Sequence, residues 1–249
     1  MSTVLVTGGS GTLGQKLVAR LRAGGEDVRV LSRRAGRGTH LGDLSSGAGV
    51  VEAAADAELV VHAASDTRRF GRADLEQTKH LLRAVSSARH VLYVSIVGID
   101  QIPYAYYRRK LACERLFEAS DVPYTIARAT QFHELIAMVL RFAERLPVAP
   151  LPLDFRFQPV AADDVAGHMV HLLGAEPLGR ARDFGGPEVL SLAEMVDGWR
   201  QVRGRPRAAF RIPLRGRVAD GFREGRSVCP DGVKGSHTWQ DFVRGLTVS

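Results

Sequence analysis

Two sets of residues in this chain have the types and spacing to do chemistry. The first is Thr7-Gly8-Gly9-Ser10-Gly11-Thr12-Leu13-Gly14, with glycines at 8, 11 and 14. A diphosphate is held by backbone N–H groups at short range, and side chains at these positions would block its approach or the packing of a helix on a strand. The second set is Tyr106 and Lys110, four residues apart and therefore on one face of a helix. An ammonium near a tyrosine favours phenolate and lowers its reference pKa of about 10, so the pair can serve as a proton donor and the group that tunes it. Tyr107 lies three residues before Lys110 and shares part of that face, so either tyrosine can fill the role. Ser95, at the end of an apolar run, can hold a substrate oxygen.

These residues need elements to position them. Thr3 to Val6 is a short β-branched run that leads straight into the glycines, and Leu13, Leu17, Val18 and Leu21 then recur at helical spacing. Gly24-Gly25 ends that helix and Val28 to Leu31 supplies a second strand, completing a βαβ unit. Further strands are predicted at 58–62, 91–95, 124–127 and 155–160, with helices at 48–55, 73–87, 104–119 and 163–173. Strands alternating with helices argue for an α/β fold, a doubly wound parallel sheet whose ligand crevice lies beyond the carboxyl ends of the strands. The proline-rich passage 146–152 reads as a connection. A helix capped by Ser191 and an arginine-rich tail follow, so 1–249 is expected to be a single domain with 135–157 and 189–249 as portions of a small C-terminal substrate cap.

The second strand ends in Leu31-Ser32-Arg33-Arg34, without the acidic residue that usually binds the ribose hydroxyls of NAD. An aspartate there would repel a 2′-phosphate, whereas Arg33 can bind one through charge-assisted hydrogen bonds, so the expected cofactor is NADP(H) ahead of NAD(H). Gly42-Asp43-Leu44 stands at a distance suited to the loop after a third strand, where Asp43 can accept a hydrogen bond from the adenine amino group.

Composition narrows the remaining classes. A chain of 249 residues with 45% hydrophobic content can bury a substantial core. No apolar run reaches membrane-spanning length and Met1 to Val6 lacks the character of a signal segment, so the expectation is a cytoplasmic protein with no membrane partner. Cys113 and Cys229 are too few for a disulfide framework and read as ordinary thiols. The net charge of +7 is densest between Arg200 and Arg226. Without stacking aromatics or a DNA-reading motif, this reads as solvated surface and not as a nucleic-acid site. His168 and His171 are three apart on a predicted helix, but no third ligand is visible and no metal site is expected.

The glycine turn, Gly42-Asp43-Leu44, Val61-His62-Ala63-Ala64, Tyr93-Val94-Ser95 and Tyr106-Tyr107-Arg108-Arg109-Lys110 together resemble the NmrA-like group of atypical short-chain dehydrogenase/reductases. The resemblance continues through Pro123 to Phe132, Gln158-Pro159-Val160, Asp164-Val165-Ala166 and Gly235 to Trp239, and so covers nearly the whole chain. It implies a Rossmann fold, NADP(H) binding that includes Leu44, Ala63, Ala64, Ser65, Ser95 and Lys110, and a Ser95, Tyr106 and Lys110 set for hydride chemistry on a small carbonyl, quinone or enone. The Tyr106 spacing is the one that matches the family pattern. Members divide between oxidoreductases and regulators that sense NADP(H) without catalysis, so a non-catalytic sensor stands as the alternative. The expected partner is a small-molecule substrate, with the chain a monomer or homodimer.

Overall fold

The computed structural model describes residues 2–36, 38–206 and 208–246. In chain order the elements begin with β1 (Thr3–Thr7), α1 (Thr12–Ala23), β2 (Asp27–Ser32), β3 (Thr39–Leu41), α2 (Val50–Ala54), β4 (Leu59–His62) and α3 (Asp74–Ala84). They continue with β5 (His90–Ile96), α4 (Ala105–Glu118), β6 (Tyr124–Ala129), α5 (His133–Ala143), β7 (Val148–Leu151), β8 (Arg156–Phe157), α6 (Ala162–Gly174), β9 (Gly179–Arg180), β10 (Phe184–Gly185) and β11 (Leu190–Ser191). The last are α7 (Leu192–Arg203), β12 (Ala208–Arg211), α8 (Arg217–Arg223), β13 (Val233–Lys234) and α9 (Trp239–Gly245). The chain forms two compact units, one made of 1–95, 105–128 and 165–182, the other of 96–104, 129–164 and 183–249.

The first unit is built on the strand order β6-β5-β4-β1-β2-β3, with β9 beside β6. β3 to β2, β2 to β1, β1 to β4 and β4 to β5 all pair in parallel. This is the doubly wound Rossmann order, and it reverses direction between β1 and β4. The strands are apolar along their length because both faces are covered. On one side Leu5, Val60, Val91, Tyr93 and Ile126 pack with Val50 and Ala53 of α2, Leu81 of α3, and Cys113 and Phe117 of α4. Val4 and Val6, equally buried, alternate to the other side by the pleat. Glu114 and Arg128 form a buried bidentate pair, with Oε1 to Nε at 2.8 Å and Oε2 to Nη2 at 2.6 Å, so neither charge is left uncompensated.

In the second unit α5, β7, α7 and α9 share a core around Leu140, Ala149, Trp199 and Trp239. Ser191 starts α7 and Thr238 starts α9 with reciprocal capping boxes, Ser191 with Glu194 and Thr238 with Asp241. The expected strand at 155–160 is reduced to β8, which pairs antiparallel with β11. The passage read as a connection contains β7, paired in parallel with β12 in a sheet of two strands. Every strand of such a sheet is an edge, so Pro150 can lie in it without losing a central ladder bond. Among the described residues no helix is long and apolar enough to cross a membrane.

Candidate functional site

The sheet register brings the carboxyl ends of four strands of the first unit into line. Thr7 pairs with Leu31 and with His62, and His62 pairs with Tyr93, two residues before Ser95. The glycine turn after Thr7, the Ala63-Ala64 segment after His62 and Ser95 after Tyr93 therefore reach the same end of the sheet. At that end Thr7 Oγ1 lies 2.7 Å from His62 Nδ1, and His62 Nε2 lies 3.3 Å from Thr78 Oγ1, which donates to the Asp74 carbonyl at 2.8 Å. His62 is wholly buried, and burial, helped by the charge of Lys110, lowers its pKa to about 3. It is a neutral tie between the base of the glycine turn and α3.

The glycines do distinct jobs. Gly8 has φ +73, and a Cβ there would lie 2.6 Å from Ala64 N and 2.7 Å from the Ala63 carbonyl carbon and oxygen. A Cβ on Gly14 would lie 2.0 Å from Gly8 O, and one on Gly9 would lie 2.6 Å from Val30 Cγ1. These three let the turn, β2 and the Ala63-Ala64 segment close on one another. Gly11 differs. It is exposed, it caps α1 with φ −78 and ψ 172, and its Cβ would come no nearer than 3.3 Å to Gly8 O. Ser10 and Thr12 beside it are also exposed, while Leu13 is buried. No side chain caps α1 and its first turn carries no acidic residue. The positive end of the helix dipole thus faces outward without a competing anion.

Arg33 is exposed just after β2, the position a 2′-phosphate contact requires. The Ser32 hydroxyl is engaged in its own turn, donating to Arg34 O at 2.9 Å and accepting from Arg34 N at 3.1 Å. Asp43 Oδ1 likewise accepts Ser45 N at 2.8 Å. The Leu44 side chain is buried in the same core cluster as Leu31, which leaves only its backbone to face a ligand.

Lys110 and Tyr107 face inward from α4, and Tyr106 is half-buried. Lys110 Nζ donates to Val94 O at 2.8 Å and lies 4.2 Å from the centre of the Tyr93 ring. Desolvation lowers its pKa, opposed by the charges of Asp74, Cys113 and Glu114. The Ser95 hydroxyl, next to Val94, is buried and has no hydrogen-bond partner among the described residues. Tyr106 Oη is 2.9 Å from Ser65 Oγ, which donates to Asp74 Oδ2 at 2.6 Å, and Asp66 N donates to Asp74 Oδ1 at 2.7 Å. Asp74 was not among the residues the sequence singled out. Read along the chain it is an ordinary acid in the first turn of a helix, and only the fold brings it to Ser65.

The residues present fit a dinucleotide. An uncapped helix start stands behind a turn whose glycines keep the backbone bare, an arginine follows the second strand, and Ser95 keeps a desolvated hydroxyl at the same end of the sheet. Among the described residues no group of three or more His, Cys, Asp or Glu side chains could hold a metal ion.

Comparisons with known proteins agree with this geometry. The sequence model of a family described as NAD(P)H-binding matches residues 8–175, well over half of the chain. No protein of curated function matches the sequence. Among solved structures, an NADPH-dependent quinone oxidoreductase from Escherichia coli, complexed with NADPH, superposes with a TM-score of 0.81 at 14% identity, covering 98% of this chain and 99% of that one. A nucleoside-diphosphate-sugar epimerase from Staphylococcus aureus gives 0.80 at 16% identity over 98% and 100%. A short-chain dehydrogenase/reductase superfamily protein from Agrobacterium tumefaciens with bound NAD gives 0.75 at 18% over 99% and 96%. At these identities the likeness is one of fold.

Proposed function

The chain belongs to the NAD(P)H-binding family, and from that premise we propose that it is an NmrA-like atypical short-chain dehydrogenase/reductase, an NADP(H)-dependent oxidoreductase acting on a small carbonyl, quinone or enone. The observation that supports this reading is that Ser95, Lys110 through its bond to Val94, and Tyr106 through its contact with Ser65 all lie at the carboxyl ends of β4 and β5, next to the glycine turn that follows β1. NADP(H), when bound, supplies or accepts the hydride.

The chain's own residues do the rest. The α1 start and the Gly8 to Gly14 backbone receive the diphosphate, and Arg33 receives the 2′-phosphate. Ser95 donates a hydrogen bond to the substrate oxygen, which satisfies a hydroxyl otherwise buried without a partner among the described residues. Tyr106 delivers its phenolic proton to that oxygen as charge develops on it. Lys110, fixed against Val94 O and the Tyr93 ring, places a cation beneath the site with little freedom to move.

The test is turnover of a simple quinone, 1,4-benzoquinone, with NADPH, alongside Tyr106→Phe. Loss of the phenolic proton is expected to lower kcat by about 10²-fold or more while NADPH affinity stays within a factor of a few. Equal kcat in the two proteins would remove Tyr106 from the reaction. Tyr107→Phe is expected to retain turnover, because that side chain is turned into the unit.

A further inference from the structure

We infer that Asp74, acting through Ser65, is a positioning group that holds the Tyr106 hydroxyl as a proton donor and keeps it in the phenol form. The inference rests on the reading of Tyr106 given above and adds two residues to it.

Ser65 has one hydroxyl proton, and Ser65 Oγ donates it to Asp74 Oδ2 at 2.6 Å. A carboxylate has none to return. The contact of 2.9 Å between Ser65 Oγ and Tyr106 Oη must then be made with the proton of Tyr106. The chain of bonds runs one way, from Tyr106 to Ser65 to Asp74. Ionising Tyr106 would break this order. A phenolate and a carboxylate would compete for the single Ser65 proton, and the one that lost would stand beside a second anion in a poorly hydrated place. The protonated tyrosine is therefore favoured.

The surroundings are built to hold this arrangement. Asp74 is 2% exposed, and its other oxygen is occupied by Asp66 N at 2.7 Å, so the carboxylate cannot turn away from Ser65 without giving up a second bond. Gly71, at φ +74, lies against the Tyr106 ring, where a Cβ would come within 3.0 Å of Cδ2 and within 3.1 Å of Asp74 Oδ2. Arg109 Nη1 donates to Phe70 O at 2.8 Å and fastens the same loop to α4. Asp74 reaches Tyr106 through Ser65, the Asp66 backbone holds the far oxygen of Asp74, and Arg109 and Lys110 follow Tyr106 by three and four residues on its own helix. Lys110 is the opposing influence: its Nζ donates to Val94 O and lies over the Tyr93 ring, and it also acts electrostatically on Asp74.

The consequence is a direction. A tyrosine held protonated through Ser65 starts in the acid form that carbonyl or quinone reduction needs; its O–H must turn from Ser65 to the nascent alkoxide to deliver the proton, and the phenolate left behind is reprotonated from solvent. No proton is created or lost: the O–H bond of Tyr106 breaks as the O–H bond of the product forms.

Ionisation of Tyr106 can be read directly, without substrate or cofactor, as the alkaline rise in tyrosinate absorbance that is present in the wild type and missing from Tyr106→Phe. The experiment compares this difference curve in the wild type, Ser65→Ala, Ser65→Thr and Asp74→Asn, with circular dichroism confirming the fold across the titration. Ser65→Ala and Asp74→Asn are expected to ionise Tyr106 at a pH lower by about 1 unit or more, and Ser65→Thr to stay with the wild type. Ser65→Ala retains the bond from Asp66 N to Asp74, so it decides the matter if Asp74→Asn does not fold. Identical curves in the wild type and Ser65→Ala would overturn the inference. That result is separable from failure of the reading beneath it, which is decided by turnover of Tyr106→Phe and not by its titration.

Discussion

Thr7 Oγ1 and His62 Nδ1, 2.7 Å apart, join the carboxyl ends of β1 and β4 at the point where the sheet reverses its order. Both side chains are buried, and Thr7 is the residue from which the glycine turn departs. A neutral imidazole with partners on both nitrogens thus sits at the base of the glycine turn, and its protonation state bears on the stability of the whole turn.

Burial lowers the folded-state pKa of His62 to about 3, below its ordinary value of 6.5. The unfolded chain therefore binds more protons between those values, and stability rises with pH across that window. It is fully present above the unfolded value and is lost as pH falls toward 3, at about 1.4 kcal/mol per pH unit for this residue. His133, taken by burial to about 4, contributes in the same sense. Urea unfolding measured at about pH 7.5 and about pH 5 should show this loss, with a shallower slope in His62→Gln. A stability independent of pH in that range would contradict the buried neutral imidazole.

The turn's glycines are expected to separate by role. Gly14→Ala would drive a Cβ to 2.0 Å from a backbone oxygen and should cost about 3 kcal/mol or more of stability. Gly11→Ala meets a nearest atom at 3.3 Å in an extended conformation open to any residue, so thermal unfolding should shift little. Its methyl group would nonetheless stand where the diphosphate approaches, and NADPH affinity should fall by about tenfold or more. Equal effects of the two substitutions on stability would show that Gly11 is needed for the fold and not for a ligand.

Arg33 is the expected reader of the 2′-phosphate. A charge-assisted hydrogen bond contributes about 1.5–3 kcal/mol, so Arg33→Ala should reduce the preference for NADPH over NADH by about tenfold to a hundredfold. Titration of both nucleotides against both proteins measures this. A preference unchanged by the substitution would transfer the phosphate contact to another group.

The first unit could be read from the sequence because its signals are local. The β-branched run before the glycines, the periodic Leu13, Leu17, Val18 and Leu21, and the buried strands through Val60 and Leu92 each carry their period in a few residues. The second unit could not be read so well. β8, β10, β11 and β13 are two residues long, too short for any period, and exist through partners distant in sequence. β7 was hidden by Pro150 within it and by Pro147 and Pro152 on either side. In the site, Tyr106 and Lys110 announced themselves by spacing, while Asp74, nine residues from Ser65 and thirty-two from Tyr106, gave no sign of belonging with them. Ser32 and Leu44 lay at the positions expected, but the turn took the hydroxyl of the one and the core took the side chain of the other.

Isothermal calorimetry with NADPH, paired with thermal unfolding at rising nucleotide concentration, tests most directly the claim on which the account rests. Saturable heat at one site per chain, a midpoint that climbs with ligand concentration, and a weaker response from Gly11→Ala are the results expected. No heat and no thermal protection from NADPH, NADP⁺, NADH or NAD⁺ would contradict it.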